Sequence, residues 1–78
     1  RSGTFVVQAG AFSKSAGAQA QQEKLEGLGF DAKMERSSSP QGEVIRVYLG
    51  PFETRSQAEE IQQRLAGAEV NSFLRKVE

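Results

Sequence analysis

Two stretches of this chain alternate apolar and polar residues at the period of a β-strand, and each is followed by a stretch at the period of a helix. Thr4 to Ala9 (TFVVQA) and Glu43 to Leu49 (EVIRVYL) are rich in β-branched and aromatic residues, which pack well on a pleated surface. Downstream, Ala18, Gln22 and Leu25 fall on one helical face, and Ala58, Ile61, Leu65 and Ala68 make a second apolar stripe. Gly10-Ala11-Phe12 and Gly50-Pro51-Phe52 punctuate the strand ends. Ser13 and Thr54 are the predicted N-caps, and Thr54 with Gln57 has the spacing of a capping box. Gly27 and Gly67 stand where a helix C-terminus favours a residue tolerant of the left-handed region. Phe30 to Arg36 and Val70 to Val77 read as closing strands, the latter with the weaker pattern. Ser37 to Gly42 (SSSPQG) is polar and breaker-rich, so a loop is expected there.

The two halves repeat one another. Val7, Gly10, Phe12, Ala18, Gln22, Leu25 and Gly27 recur as Val47, Gly50, Phe52, Ala58, Gln62, Leu65 and Gly67, each pair 40 positions apart without a gap. With 78 residues the chain suits one domain, and neither half carries enough apolar surface for a core of its own. Residues 1–78 are therefore expected to form a single domain, and a start at Arg1 reads as excision from a larger protein. The predicted order β-α-β-β-α-β is the ferredoxin-like arrangement of the α+β class. It places a four-stranded antiparallel sheet beneath two helices on one face, with the first and third strands central and a pseudo-twofold relating the halves.

Alternation then assigns the faces. The helices must cover the more apolar set, Phe5, Val7, Ala9, Ile45, Val47 and Leu49. The opposite, helix-free face receives Val6 and Gln8 from one central strand, and Val44, Arg46 and Tyr48 from the other. Taken singly, each of these is an ordinary surface residue. Together they offer aliphatic surface, a phenol, an amide and a guanidinium on the one uncovered face, which suits an extended, polar ligand.

Composition narrows the chemistry. Ten basic and ten acidic residues cancel, so no bulk attraction to nucleic acid or an anionic membrane is expected. Cysteine and histidine are both absent, which removes disulfides, thiolate metal sites and the commonest general base. No apolar run approaches the roughly 18 residues of a membrane span. Glu23, Glu26, Glu59 and Glu60 lie on predicted helices as solvated faces, and Ser37 to Ser39 have no nearby base. Neither a catalytic constellation nor a metal or cofactor motif is visible, so a non-enzymatic role without cofactors is expected. Two relatives of this topology set the alternatives. The phosphate loop of acylphosphatases needs an Arg directly after the Phe, where Ser13 stands here, and the second copy holds Pro51, which lacks an N–H. RNA-recognition motifs stack bases on aromatics of the central strands, and here Tyr48 is the lone aromatic predicted to point outward from them.

The segments Phe5-Val-Val-Gln-Ala-Gly-Ala-Phe12 and Arg46-Val-Tyr-Leu-Gly-Pro-Phe52, each leading into an Ala/Leu helix, resemble the SPOR (sporulation-related repeat) domain across nearly the whole chain. The resemblance implies binding of bacterial peptidoglycan, specifically glycan strands denuded of stem peptides, on the open sheet face. It implies placement in the periplasm or envelope at the division septum. The parent would be a divisome component, an amidase or a lytic transglycosylase. Gln8, Ala11, Val44 and Arg46 match the family's binding positions. Some members carry Ser where Ala11 stands and an aromatic where Val44 stands, and Tyr48 supplies ring surface here. Loss of a stem peptide frees a muramyl lactyl carboxylate, which Arg46 can grip by a two-pronged charge-assisted bond. Gln8 can donate and accept to hydroxyl or acetamido groups, while Val6, Val44 and Tyr48 can pack on sugar faces. The expected module is a monomer that binds no nucleic acid and makes no direct membrane contact.

Overall fold

The 40-residue repeat folds as two copies of strand, helix, strand. In the computed structural model, which describes residues 4–77, the elements are β1 (Thr4–Phe12), α1 (Ser15–Gly27), β2 (Ala32–Ser39), β3 (Gly42–Phe52), α2 (Arg55–Gly67) and β4 (Phe73–Val77). The strands form one antiparallel sheet in the order β2-β3-β1-β4. This is the ferredoxin-like arrangement the pattern predicts, with the first and third strands central. Val7, Ala9, Ile45, Val47 and Leu49 meet Ala18 and Leu25 of α1 and Ala58 and Leu65 of α2 in one shared core. Each helix is also tied by an equivalent glutamine to the chain entering the strand that follows it, at the first residue of β2 and the residue before β4. Gln22 Nε2 donates to the Ala32 carbonyl at 3.0 Å and Gln62 Nε2 to the Ser72 carbonyl at 3.3 Å, which accounts for an amide on each half-buried helix face.

β1 and β3 run further than the alternation shows, because each contains a bulge at the glycine that recurs at the 40-residue offset. The register slips by one residue between Gln8/Ala11 and again between Phe5/Val7, where Gly10 has φ 151° and Gly50 has φ 120°. These angles exclude most L-residues. A Cβ on Gly10 would also lie 2.8 Å from the Phe12 ring, and one on Gly50 would lie 3.1 Å from Phe52 and 3.2 Å from the Phe5 carbonyl. The bulges reverse the in-out phase, so that Phe12 and Phe52 turn back onto the core rim. They also make Ala11 a strand residue rather than a turn residue, paired with Arg46.

Other boundaries depart from the sequence pattern for physical reasons. The expected loop at Ser37 to Gly42 is instead a tight hairpin. β2 continues to Ser39, which pairs with Gly42 across a two-residue turn at Pro40-Gln41, and the Ser39 hydroxyl accepts from the Gln41 N–H at 3.2 Å. β4 begins at Phe73 rather than Val70, because Phe30 and Val70 close helix C-termini. Phe30 N–H reaches the Leu25 carbonyl at 2.9 Å and Val70 N–H reaches that of Leu65 at 2.8 Å, with shorter-range partners from Gly29 and Glu69. These are Schellman closures. The left-handed residues are thus Gly29 (φ 95°) and Glu69 (φ 64°), and not Gly27 and Gly67, which end the helices. Thr54 caps α2 in a complete capping box with Gln57. The α1 N-cap is Lys14 rather than Ser13, and its side chain makes no cap bond.

Candidate functional site

The five residues assigned to the helix-free face by alternation lie on it together with Ala11, which the resemblance named, and the register places pairs of them opposite one another. Gln8 pairs with Tyr48 and Ala11 with Arg46 across the two central strands. The flanking strands complete the rows. β2 brings Lys33, Glu35 and Ser37 against Tyr48, Arg46 and Val44, and β4 brings Phe73 and Arg75 against Gln8 and Val6. Directly paired residues share a face, so these five edge residues belong to the same surface as the central six.

The surface is not uniformly open. Ala11 is exposed and Val44, Arg46 and Tyr48 are half-buried. Val6 and Gln8, however, are 4% and 6% exposed, although neither belongs to the helix-covered core. Gln8 lies between Tyr48 and Phe73, and Val6 lies beside a strap that crosses the sheet on this face. Arg75 Nη2 donates to Glu35 Oε1 at 3.3 Å, joining β4 to β2, the two opposite edges. Edge strands three steps of about 4.8 Å apart would otherwise be roughly 14 Å from each other, so two long side chains and the sheet twist are needed to close the gap. Beside the strap lies a shallow depression of about 320 Å³, lined by Thr4, Val6, Glu35, Tyr48, Arg75 and Val77.

Polar groups on this face have partners in part. Arg46 Nη1 donates to Ser37 Oγ at 2.9 Å, leaving the rest of its fork available. Lys33 Nζ contacts Asp31 Oδ2 at 3.3 Å, with the aspartate largely in solvent. Gln8 Oε1 and Arg75 Nε are buried without any hydrogen-bond partner, one acceptor and one donor on neighbouring strands. Among the described residues, three cations, Lys33, Arg46 and Arg75, stand on the face against the carboxylates of Glu35 and, beside Lys33, Asp31, so a neutral chain presents a locally positive surface. Phe73, 52% exposed, and Tyr48 flank Gln8 on either side, giving two ring surfaces about an amide. Such a row can hold an extended ligand with carboxylates for the guanidinium groups, amides or hydroxyls for Gln8, and flat apolar faces for the rings. Among the described residues, no three or more His, Cys, Asp or Glu side chains converge as metal ligands.

Sequence reasoning missed Lys33, Glu35, Phe73 and Arg75. The pattern of β4 is short and polar, and β2 carries no core-facing run after Met34, so neither strand announces its phase. The repeat held the available signal, since Glu35 and Arg75 stand at the same 40-residue offset as Gln8 and Tyr48.

A family model for the SPOR domain matches residues 1–76 of the chain. Among curated proteins, the endolytic peptidoglycan transglycosylase RlpA of Yersinia pestis is 43% identical over 75 residues, covering 94% of this chain and 20% of that protein. The protein of the same name from Escherichia coli K12 is 39% identical over the same span. The chain thus corresponds to about 20% of the length of these relatives. Among solved structures, the solution structure of the peptidoglycan binding domain of the B. subtilis cell wall lytic enzyme CwlC is similar with a TM-score of 0.86 at 24% identity, covering 100% of this chain and 94% of that one. At that identity the likeness is one of fold.

Proposed function

The chain belongs to the SPOR domain family, and from that premise we propose that it is a non-catalytic module that binds bacterial peptidoglycan, preferring glycan strands denuded of stem peptides. Its relatives in the curated set are peptidoglycan transglycosylases many times its length, and a lytic enzyme of that kind is the parent this module would direct to the septum of the envelope. The observation that carries the reading is the local charge and shape of the helix-free face. Arg46, Arg75 and Lys33 sit beside two rings and a buried amide whose Oε1 has no partner. Carbohydrate recognition uses this combination of ring stacking and directed hydrogen bonds.

The preference for denuded strands follows from charge and bulk. Amidase removal of the stem peptide converts a neutral lactyl amide into a carboxylate, which a guanidinium binds by a charge-assisted fork. A strand stripped of peptides also lies flat on a sheet, where intact peptides would collide with the β2 and β4 edges. The test is a pull-down of the module on purified sacculi with and without amidase treatment, with single-stranded RNA as competitor. Capture on treated sacculi that RNA does not displace is the expected result. Equal capture on treated and untreated sacculi would refute the preference, and displacement by RNA with steep salt dependence would reassign the face to nucleic acid.

A further inference from the structure

We propose that Glu35 is a built-in competitor for Arg75, and that the strap they form is a latch which a ligand carboxylate displaces, making Arg75 a second carboxylate receptor beside Arg46. The inference rests on the glycan-binding reading above and names which residues of that face set its affinity and selectivity.

The geometry of the latch is that of a pair waiting for a better partner. Glu35 takes a single bond from Arg75, Nη2 to Oε1 at 3.3 Å, at the long end of the hydrogen-bond range. The guanidinium is built for a two-bond fork, yet its Nε is buried with no acceptor. A ligand carboxylate that engages Nε and Nη2 together replaces one long bond by two and satisfies the orphaned donor. On the same face Gln8 Oε1 also lacks a donor and is matched by the N–H of an acetamido group or by a hydroxyl. Val6, 4% exposed and the cross-strand partner of Arg75, becomes apolar floor for a sugar ring when Arg75 moves.

The strength of the strap fits a latch rather than a structural tie. Its side chains are 34% and 51% exposed, and ion pairs of such exposure are weak. A modest gain at Arg75 is enough to open it. A strand with amide-capped lactyl groups offers nothing that outcompetes Glu35 and leaves the latch shut. Selectivity for bare strands therefore has a second source besides Arg46.

The experiment measures affinity for soluble glycan fragments released from amidase-treated sacculi, and for the same fragments with their carboxylates converted to amides. Glu35→Gln is expected to bind the carboxylate fragments about 2- to 5-fold more tightly than the unmodified chain, the range set by an exposed ion pair, and to bind the amidated fragments unchanged. The gain is expected to vanish in an Arg75→Gln background. Glu43→Gln is the charge control, because that carboxylate pairs with Arg36 at 3.1 Å and not with Arg75. Its affinity should match the unmodified chain. Equal or weaker binding by Glu35→Gln, a gain that survives Arg75→Gln, or an equal gain in Glu43→Gln would each overturn the latch. If the unmodified chain binds neither fragment, the glycan reading itself fails, a result distinct from binding without a Glu35 effect. Thermal melts of each variant confirm that the affinities compare folded proteins.

Discussion

Replacing Gln8 by Leu should make this domain more stable and a poorer ligand binder at once. The side chain is 6% exposed, and its Oε1 is buried without a donor. An unpaired polar group held away from water destabilises the folded state by about 1–3 kcal/mol relative to a satisfied or apolar one. Leu has nearly the volume of Gln, no polar atom, and apolar neighbours in Val6 on the same strand and the Tyr48 ring across the pair. Removing only one orphaned atom places the gain at the low end, about 1 kcal/mol, which in a domain of this size raises the melting temperature by roughly 4–8 °C. If the amide bonds to a sugar hydroxyl or acetamido group, the same change removes a neutral hydrogen bond of about 0.5–1.5 kcal/mol. Affinity for denuded glycan then falls roughly 2- to 12-fold. Circular dichroism melts and titration with soluble glycan fragments read the two effects separately. The opposite signs are the signature, since polar groups kept unsatisfied in the free protein are the usual stability cost of a binding site. A lower melting temperature for Gln8→Leu would show that the amide is satisfied in the free protein, and the argument that it waits for a ligand would fall.

Two further substitutions probe the face and the frame that carries it. Arg46→Ala should weaken binding to denuded strands roughly 10- to 150-fold, the range for a lost charge-assisted bond of about 1.5–3 kcal/mol. Its melting temperature should scarcely move, because its protein partner is one exposed serine hydroxyl; unchanged capture on amidase-treated sacculi removes it from the site. Glu69→Gly should stabilise the domain by roughly 0.5–1 kcal/mol, since Glu69 holds φ 64° at an exposed helix C-terminus where glycine carries no steric penalty. Urea unfolding with an unchanged m-value and a higher midpoint is the expected readout, and a lower midpoint would contradict the cap assignment.

How much of this could be read from the chain divides at the bulges. The core face of the central strands was legible because Phe5, Val7 and Ala9 alternate in step with Ile45, Val47 and Leu49, and two-residue periodicity carries through until one extra residue interrupts it. Gly10 and Gly50 insert that residue, and from there the phase of Ala11 and Phe12 could not be extrapolated. The helix ends misled for a related reason. Gly27 and Gly67 look like terminators, but the left-handed position lies two residues on, where one copy has Gly29 and the other Glu69, so composition alone could not mark it. The strap was hidden because a short polar edge strand such as β4 has no apolar rhythm by which to place Arg75.

Yet the repeat carries more information about the site than its alternation does. Gln8 and Tyr48 are equivalent by the 40-residue offset and are also direct partners in the sheet, so the pseudo-twofold passes between them. Any other equivalent pair on this face is related by the same axis. Glu35 and Arg75 are such a pair, and they meet. An identical charged residue in both copies would bring like charges together across the sheet, at a cost that grows as they are withdrawn from water. Divergence to an acid in one half and a base in the other turns that contact into an attraction. It is also what makes the contact exchangeable. A symmetric apolar pair would seal the face permanently, whereas a single exposed ion pair yields to any ligand that presents the better carboxylate.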